Sequence, residues 1–291
     1  MGNAKHETAF MKQITIIGTG LIGGSLALAL KRHMPDMRII GCDREPVMKQ
    51  ALKLGAIDDG SSIPEQAVRD SDLIALATPV GSIIDLIERV GPLAPAHSLI
   101  TDVGSTKVEI MARAKDVFGG DVAQRFLPGH PMAGKENGGI EHADAELFGG
   151  AVWLVTPYPG QDLSGGTTGE YLHLLGKIGA RVLPVDSVQH DRICGWVSHL
   201  PQMLSTALAS TLVEELADDS EANAIGGRAL REMTRIAQSP YSMWRDVALT
   251  NTKNIQAALL RLEQKLAHIR ENLRTRGLEE EFERANQFRK N

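Results

Sequence analysis

Proton-transfer chemistry has its best candidate in a short glycine-rich stretch near the middle of the chain. Residues 129–136 read GHPMAGKE and follow the apolar run 125–127. An imidazole placed just past a strand end and held by a proline is suited to exchange a proton with a molecule bound beside it. His130 is therefore a candidate catalytic base, although a single histidine is more often a structural hydrogen-bonding residue.

A glycine-rich loop near the N-terminus points to a bound dinucleotide. The β-branched run 14–17 leads into the sequence GTGLIG, and residues 26–31 after it have helical character. In such a strand–loop–helix unit the glycines permit a tight turn, close approach of a pyrophosphate and close packing of helix on strand. We therefore predict that the cofactor is contacted by Gly18, Gly20, Leu21, Ile22 and Gly23.

The end of the second predicted strand indicates which dinucleotide binds. The strand 38–42 is followed directly by Asp43 and Arg44. An acidic side chain at this place accepts hydrogen bonds from the adenosine ribose hydroxyls, which favours NAD. Arg44 could instead meet a 2′-phosphate, so NADP is the less favoured alternative.

Two further strand ends carry polar groups that the same ligand could reach. The strand 73–77 is stopped by Thr78 and Pro79, and the strand 98–101 leads into the block DVGSTK at 102–107. Ligands of parallel sheets bind beyond the carboxyl ends of the strands, so Thr78 and Pro79 are predicted cofactor contacts. Ser105 is a candidate catalytic residue, with the N-cap of the next helix as its alternative role.

The elements that position these groups indicate two domains. Apolar strands alternate with helices up to residue 186, which is typical of a doubly wound parallel α/β sheet of the Rossmann type. Strands are still predicted at 151–156 and 181–185, and from residue 187 the pattern is helical. We predict a disordered extension at 1–12, a dinucleotide-binding domain at 13–186 and an all-helical substrate and dimerisation domain at 187–291.

The helical half offers candidates for the substrate side of the cleft. A long helix is predicted at 187–216, and Pro201 should kink it because proline cannot donate to the carbonyl four residues earlier. His199 and Gln202 share one face beside that kink. Among Arg228, Arg231, Arg235 and Arg245, the least surface-like is Arg235, between Thr234 and Ile236, and its guanidinium is suited to hold a carboxylate.

The composition excludes several other classes of partner. The 291 residues carry 31 Lys and Arg against 36 Asp and Glu, a net charge of −5 with no polybasic segment, which argues against nucleic acid or an anionic membrane. No apolar stretch is long enough for a transmembrane helix or a signal peptide. The two cysteines, Cys42 and Cys194, have no metal-site spacing, so we expect a cytoplasmic enzyme of small molecules without a metal.

The last long helix predicts an interface. Its apolar residues follow a 4-3-4-3-4 spacing that forms a narrow seam. The seam consists of Ile255, Leu259, Leu262, Leu266, Ile269 and Leu273. It could pack within the chain, but the helical domain is small, so a homodimer is at least as well supported.

Five blocks, in order and over nearly the whole chain, carry a resemblance to a known family. They are the glycine loop 18–25, DVGSTK at 102–107, HPMAG at 130–134, SHLP at 198–201, and TRIA at 234–237 with MWRD at 243–246. In these blocks the chain resembles the prephenate/arogenate dehydrogenases of tyrosine biosynthesis. The resemblance implies NAD-dependent oxidative decarboxylation of prephenate to 4-hydroxyphenylpyruvate.

The same resemblance implies roles for the candidate residues. His130 would take or polarise the proton of the ring hydroxyl, and Ser105 would orient His130 and the nicotinamide side. Arg235 would hold a substrate carboxylate, while His199 and Gln202 would line the same pocket.

The substrate remains open between prephenate and arogenate. Many relatives that prefer prephenate have a histidine where Gln202 stands, so arogenate or dual cyclohexadienyl specificity is the alternative. An acidic partner would favour the ammonium group of arogenate, and Glu136 and Glu232 are the candidates for it.

Two other classes of protein share part of the pattern. A β-hydroxyacid dehydrogenase or an imine reductase has the same glycine loop and a helical domain, but His130 with Ser105 argues against both. A non-catalytic NAD-binding sensor would keep the fold without the chemistry. The full set of His, Ser and Arg candidates argues against that possibility.

Overall fold

The first part of the chain forms a parallel sheet in the order β3-β2-β1-β4-β5-β6. The computed structural model describes residues 11–135, 137–217, 221 and 225–290. The strands of this sheet are β1 (Gln13–Ile17), β2 (Arg38–Cys42), β3 (Asp59–Gly60), β4 (Leu73–Leu76), β5 (Leu99–Asp102) and β6 (Phe126–Leu127).

Burial on both faces explains why these segments read as unbroken apolar runs. Every residue of β4 and of β5 is buried. A strand covered by helices on both sides has no solvent face, so its sequence shows no alternation of polar and apolar residues. The doubly wound parallel fold predicted from the sequence is confirmed.

The strand order reverses beside β1, and this creates a crevice. β1 pairs in parallel with β2 on one side and with β4 on the other. The loop after β1 begins at Gly18, and the loop after β4 contains Thr78. Connections that leave a sheet in opposite directions open a gap at its carboxyl edge, which is where ligands of such sheets bind.

Amphipathic helices cover the sheet. In α4 the buried residues Val80, Ile83, Leu86, Ile87 and Val90 follow the three- and four-residue spacing of one helical face. The helices of this domain are α1 (Leu21–His33), α2 (Glu45–Lys53), α3 (Pro64–Ala67), α4 (Val80–Val90), α5 (Val108–Phe118), α6 (Val122–Arg125) and α7 (Gly166–Lys177).

The stretch around His130 forms a strand of a second sheet. The strands β7 (Gly129–Pro131), β8 (Val152–Val155) and β9 (Arg181–Pro184) lie in that order. β7 runs antiparallel to β8, with His130 opposite Leu154. His130 therefore lies past the end of β6, as the sequence predicts, and it also belongs to β7, which forms by pairing with residues some twenty positions later.

The helical part begins at residue 187, where the sequence predicted a change of character. Asp186 caps its first helix by accepting hydrogen bonds from the N–H groups of Val188 at 2.9 Å and Gln189 at 3.1 Å. The described helices are α8 (Ser187–Cys194), α9 (Leu200–Glu215), α10 (Arg228–Thr234), α11 (Tyr241–Thr250), α12 (Thr252–Glu271) and α13 (Arg276–Lys290).

A π-helical turn (Gly195–His199) interrupts the long helix predicted at 187–216. It lies directly before Pro201, which cannot donate a hydrogen bond to the carbonyl of Val197. A wider turn accommodates that missing bond, and such turns often occur at functional sites. The turn ends at His199, which is fully buried.

Two carboxylates of the helical part contact the first turns of two helices around the sheet. Asp191 on α8 accepts hydrogen bonds from the N–H groups of Lys107 at 2.7 Å and Val108 at 3.0 Å, where α5 begins. Asp246 on α11 accepts one from Gly81 at 3.0 Å, in the first turn of α4. Negative charge is favourable at a helix N-terminus. These contacts hold the helical part against the carboxyl edge of the sheet.

The structure corrects the C-terminal end of the predicted disordered extension 1–12. Met11 is buried, and its N–H donates to Glu170 Oε2 at 3.2 Å. The N–H of Lys12 donates to Asp72 Oδ2 at 2.6 Å. Residues 1–10 lie outside the described residues.

The apolar seam of α12 has two different parts. Ile255 is buried near the π-helical turn, whereas Leu266 and Leu273 are 51% and 61% exposed. The first part therefore packs within the chain, and the second part leaves an apolar surface. Along the described parts of the chain, no helix combines the length and the apolar character that crossing a bilayer requires.

Candidate active site

A chain of hydrogen bonds connects His130 to a carboxylate of the helical domain. His130 Nδ1 lies 2.9 Å from His190 Nε2, and His190 Nδ1 lies 2.8 Å from Asp191 Oδ1. All three side chains are buried. His130 comes from β7 and the other two residues from α8, so the chain of bonds crosses between the domains.

This arrangement fixes the tautomer of both imidazoles. The carboxylate of Asp191 can only accept, so the proton of neutral His190 is on Nδ1 and its Nε2 has a lone pair. That lone pair accepts from His130, which must therefore carry its own proton on Nδ1. The Nε2 atom of His130 is left with a free lone pair, which a general base requires.

The carboxylate at the end of this chain is itself held in place. The two carboxylate oxygens of Asp191 accept hydrogen bonds from the N–H groups of Lys107 and Val108. The backbone carbonyl of Asp191 accepts a hydrogen bond from the side-chain amide of Asn251 at 2.8 Å. Because Asp191 is fixed by three elements, His190 has little freedom to rotate.

A buried ion pair supports the strand that carries His130. Lys107 Nζ donates to Asp102 Oδ2 and, at 2.7 Å, to the carbonyl of Gly129. Asp102 also accepts the N–H groups of Gly104 at 2.8 Å and Gly129 at 3.3 Å. Burial raises the pKa of Asp102 and lowers the pKa of Lys107, and the attraction between them opposes both changes. The pair fastens β7 to the end of β5.

Burial keeps the imidazoles of the site neutral. It is the main cause that lowers the pKa of His130 well below 6.5, and the nearby His190, Lys107 and His199 lower it further. Burial also lowers the pKa of His190, although the hydrogen bond to Asp191 opposes this. At neutral pH the free lone pair of His130 is therefore available.

His199 is the third buried histidine of this region. Its Nδ1 accepts a hydrogen bond from Asn251 Nδ2 at 3.0 Å, and the edge of its ring meets Trp244 at a centroid distance of 5.9 Å. Burial lowers its pKa to about 4 against the opposing attraction of Asp191. Its Nε2 lies beside the Ser105 backbone without a hydrogen bond of normal geometry.

The expected contact between Ser105 and His130 is absent from the described part of the chain. The Nδ1 atom of His130 is bonded to His190, which takes the orienting role that the resemblance implied for the serine. Ser105 lies half-buried in the loop between β5 and α5. It remains a candidate for contact with a ligand.

Gln202 and Arg235 lie in adjacent segments. Gln202 is buried, and its Nε2 donates to the carbonyl of Ile236 at 2.9 Å and to Thr206 Oγ1 at 3.2 Å. Gln202 thus holds the 3-10 turn (Arg235–Gln238) against α9. Arg235 itself is exposed, as Arg228, Arg231 and Arg245 are, so its exposure does not distinguish it from the other arginines of this region. Its neighbours Thr234 and Ile236 are half-buried.

The glycine loop has the geometry expected of a phosphate cradle. Gly18 has φ +93°, and a Cβ there would lie 2.5 Å from the carbonyl oxygen of Ala77. A Cβ on Gly23 would lie 1.9 Å from the carbonyl oxygen of Gly18. A Cβ on Gly20 meets nothing within 4 Å, so open space borders the loop at this glycine.

The groups that border this space keep hydrogen-bonding capacity for a ligand. Helix α1 begins at Leu21, followed by Ile22, and its first turn has neither an acidic residue nor a side-chain cap. Its backbone N–H groups are therefore available to an anion. Across the crevice, Thr78 Oγ1 is buried and has no partner among the described residues, and Pro79 is exposed at the start of α4.

Asp43 is held at the end of β2. Its Oδ2 accepts the N–H of Thr19 at 2.8 Å, and its Oδ1 accepts the N–H of Arg44 at 2.7 Å. The carboxylate is thereby fixed beside the glycine loop, where ribose hydroxyls are bound in such folds. The side chain of Arg44 is exposed.

Sequence reasoning missed four residues of this site. His190, Asp191 and Asn251 lie in predicted helices and belong to no motif, and Lys107 belongs to the block DVGSTK, in which Ser105 is the candidate. An adjacent His–Asp pair at the start of the helical half is a weak signal that could have drawn attention to α8.

Comparison with known proteins gives the same family for both domains. Residues 26–183 match the family model "Prephenate dehydrogenase, nucleotide-binding domain", and residues 186–287 match "Prephenate dehydrogenase, dimerization domain". A prephenate dehydrogenase of Lactococcus lactis subsp. cremoris is 36% identical over 268 residues, which cover 90% of this chain and 70% of the relative.

Solved structures resemble the fold over almost its full length. The crystal structure of prephenate dehydrogenase from A. aeolicus in complex with hydroxyphenyl propionate and NAD+ has a TM-score of 0.82 at 29% identity, covering 96% of this chain and 95% of that one. The Synechocystis arogenate dehydrogenase has a TM-score of 0.76 at 26% identity, covering 96% and 99%.

The low pKa of His199 predicts a loss of stability in acid. The unfolded chain takes up this proton below pH 6.5, whereas the folded protein does so only near pH 4. Between pH 7 and pH 5 the free energy of unfolding should fall by about 2 kcal/mol more in the wild type than in His199→Gln. Urea unfolding at both pH values measures this difference. The matched control is His173→Gln, because His173 is exposed. Equal losses in all three proteins would contradict the assignment.

The open space at Gly20 predicts a variant that folds normally but binds NAD poorly. Gly20→Ala meets no atom within 4 Å, and its φ of −73° suits alanine, so thermal stability without NAD should be unchanged. The added methyl group lies where the pyrophosphate approaches, and the Kd for NAD should rise by about tenfold or more. Calorimetric titration measures this. Gly176→Ala, which also meets no atom within 4 Å, is the control. Unchanged NAD affinity in Gly20→Ala would contradict the prediction.

Proposed function

The chain belongs to the prephenate dehydrogenase family, and from this premise we propose how its residues carry out the reaction. It is an NAD-dependent oxidoreductase that converts prephenate to 4-hydroxyphenylpyruvate with loss of carbon dioxide, a step of tyrosine biosynthesis. The hydrogen-bonded chain from Asp191 through His190 to His130 carries the proposal, because it presents a neutral imidazole with a free lone pair.

The residues of the crevice fit a bound NAD. The open space beside Gly20, the uncapped start of α1 and the unpartnered hydroxyl of Thr78 are suited to a pyrophosphate and its neighbours. Asp43 would accept hydrogen bonds from the ribose hydroxyls, and this favours NAD over NADP. When bound, NAD supplies the acceptor for the hydride that leaves the ring carbon.

His130 acts on the ring hydroxyl in this proposal. As the carbon–hydrogen bond breaks, the hydroxyl oxygen must lose its proton, and Nε2 of His130 accepts it. The imidazolium that forms stays bonded through Nδ1–H to His190, which is bonded in turn to the Asp191 carboxylate. That carboxylate offsets part of the charge. Burial makes the imidazolium short-lived, so the proton returns readily once the ring has become aromatic.

We assign the remaining candidate residues to substrate binding. Prephenate is a dianion, and we assign one of its carboxylates to Arg235, whose guanidinium matches two oxygens. Gln202 positions the turn that carries this arginine. His199 and Ser105, which adjoin each other, would line the pocket near the reacting ring.

The described acidic residues support prephenate over arogenate. Glu232 is exposed and forms an ion pair with Arg228 at 2.7 Å, so its charge is already matched on the surface of α10. The other candidate, Glu136, lies outside the described residues. An ammonium group would need a carboxylate of its own in the pocket, and Glu232 is not suited to that task.

We also infer that the protein forms a homodimer in the cytoplasm. The match to a dimerization domain and the exposed residues Leu266 and Leu273 on α12 support pairing through the helical part. The free, buried thiols of Cys42 and Cys194 support a reducing compartment.

A substrate assay tests the proposed reaction. The purified protein is mixed with NAD or NADP and with prephenate or arogenate, and absorbance of the reduced cofactor is followed. Prephenate with NAD should give the highest kcat/KM. His130→Asn should lower kcat by about 10²-fold or more, because it removes the proton acceptor. No turnover of either substrate with either cofactor would overturn the function, and full kcat in His130→Asn would overturn the role of the histidine.

Asp191→Asn tests the orienting chain. An amide has one oxygen and one NH₂ group, so it cannot accept from His190 and from both N–H groups of α5 at once. We expect kcat to fall by about 10²-fold with little change in KM, and the acid limb of the pH–rate profile to shift. The control is Asp186→Asn, since Asp186 caps the same helix and asparagine caps equally well. A fall in kcat of the same size in both variants would indicate a merely structural role.

A further inference from the structure

Three potential metal ligands lie close together on the Nδ1 side of His130, away from the free lone pair of its Nε2. The ligand atoms of His130, His190 and Cys194 all lie within 4.8 Å of one another, and all three residues are buried. Cys194 Sγ lies 3.6 Å from His190 Nε2 and 4.0 Å from His130 Nδ1. The residue spacing in the sequence indicated no metal site. The tertiary structure nevertheless brings residue 130 close to residues 190 and 194, because β7 packs against α8.

The separations are close to those of a tetrahedral site. With Zn–N bonds of about 2.05 Å and a Zn–S bond of about 2.3 Å, tetrahedral ligands lie about 3.3 Å apart for two nitrogens and about 3.6 Å for nitrogen and sulfur. The two nitrogens here are 2.9 Å apart, and the two nitrogen–sulfur distances are 3.6 and 4.0 Å. Shifts of about 0.4 Å or less convert one arrangement into the other.

The surroundings also suit a metal ligand. His190 already donates its Nδ1–H to Asp191, and a histidine that binds a metal usually donates its other N–H to a carboxylate in this way. Its Nε2 atom lies 2.9 Å from His130 Nδ1 and 3.6 Å from Cys194 Sγ, so it borders both other potential ligands. One thiol and two imidazoles form a soft donor set, which selects Zn²⁺ or Cd²⁺ over Mg²⁺ or Ca²⁺.

We propose that His130, His190 and Cys194 form a site for a soft divalent cation such as Zn²⁺ or Cd²⁺, and that filling it switches the enzyme off. Cys194 loses its thiol proton and binds as the thiolate. The proton of His130 moves from Nδ1, which becomes a ligand, to Nε2. Binding therefore releases one proton, and water takes the fourth position on the metal.

Inhibition follows from the change of tautomer. With its proton on Nε2, His130 no longer has the lone pair that accepts the proton of the substrate hydroxyl. This consequence rests on the proposed role of His130, whereas the binding of the cation rests on the geometry alone. The two can fail separately in experiment.

Several charged groups around the cluster set its pH dependence. Burial and the Asp191 carboxylate raise the pKa of the Cys194 thiol to about 12, while the Lys107 cation opposes them. The titratable groups that adjoin the cluster from β5, α5, α8 and the π-helical turn are Asp102, Lys107, Asp191 and His199. Because one proton is released, affinity for the cation should rise by about tenfold per pH unit below the thiol pKa.

Metal titration of the full chain tests the site without using activity. Cd²⁺ is added to the protein in the absence of cofactor and substrate, and the ultraviolet cadmium–thiolate band is followed. We expect one Cd²⁺ per chain. Cys194→Ser and Cys194→Ala should lose the band and weaken binding by more than about tenfold. Cys42→Ser is the matched control, because Cys42 is also a free, buried cysteine but belongs to no such cluster among the described residues. It should keep the band.

Activity measurements then test the switch. Zn²⁺ should inhibit the wild type and Cys42→Ser, and a chelator should restore the rate, whereas Cys194→Ser should be inhibited only at concentrations more than about tenfold higher. Absence of the cadmium band in a folded wild type would overturn the site. A band with unchanged turnover would overturn the switch. Equal sensitivity to Zn²⁺ of wild type and Cys194→Ser would assign the inhibition to other ligands and overturn the proposal.

Discussion

The hydrogen bond between Asp191 and His190 is the interaction on which the rest of the site depends. A carboxylate accepts and cannot donate, so it places the proton of His190 and, through that ring, the proton of His130. The same carboxylate holds the first turn of α5. One side chain therefore joins the two domains and determines which nitrogen of His130, the proposed base, keeps a free lone pair.

Burial keeps the imidazoles of this arrangement in the neutral form, which can accept a proton. In water an imidazole is partly protonated near neutral pH, but in this interior desolvation keeps His130, His190 and His199 neutral. Among the described residues, the charges that act on these imidazoles are Asp191 and the ion pair of Lys107 with Asp102. At His130 the Lys107 cation acts in the same direction as burial and lowers the pKa of the imidazole further. The site is ready to accept a proton but does not retain it.

The same neutrality makes the cluster receptive to a soft cation. Neutral imidazoles bind Zn²⁺ directly and a cysteine binds it once the thiol proton is released, whereas a protonated imidazole does not bind it. A base that depends on a free lone pair in a buried pocket is thus exposed to competition between a proton and a metal. In this chain the competition arises because Cys194 lies one helical turn after His190 and on the same face of α8.

The sequence by itself determined the features that depend on local backbone geometry. The glycine loop at 18–23, the acid at Asp43 and the apolar strands could be predicted because turn geometry, helix start and burial on both faces each impose a residue pattern over a few positions. Only the tertiary structure decided the partner of His130, since 60 residues separate it from His190 and no local pattern links the two residues. Strand pairing across β7 and β8 and the cap of Asp191 on α5 bring them together, and such long-range contacts have no period that a sequence reader can detect.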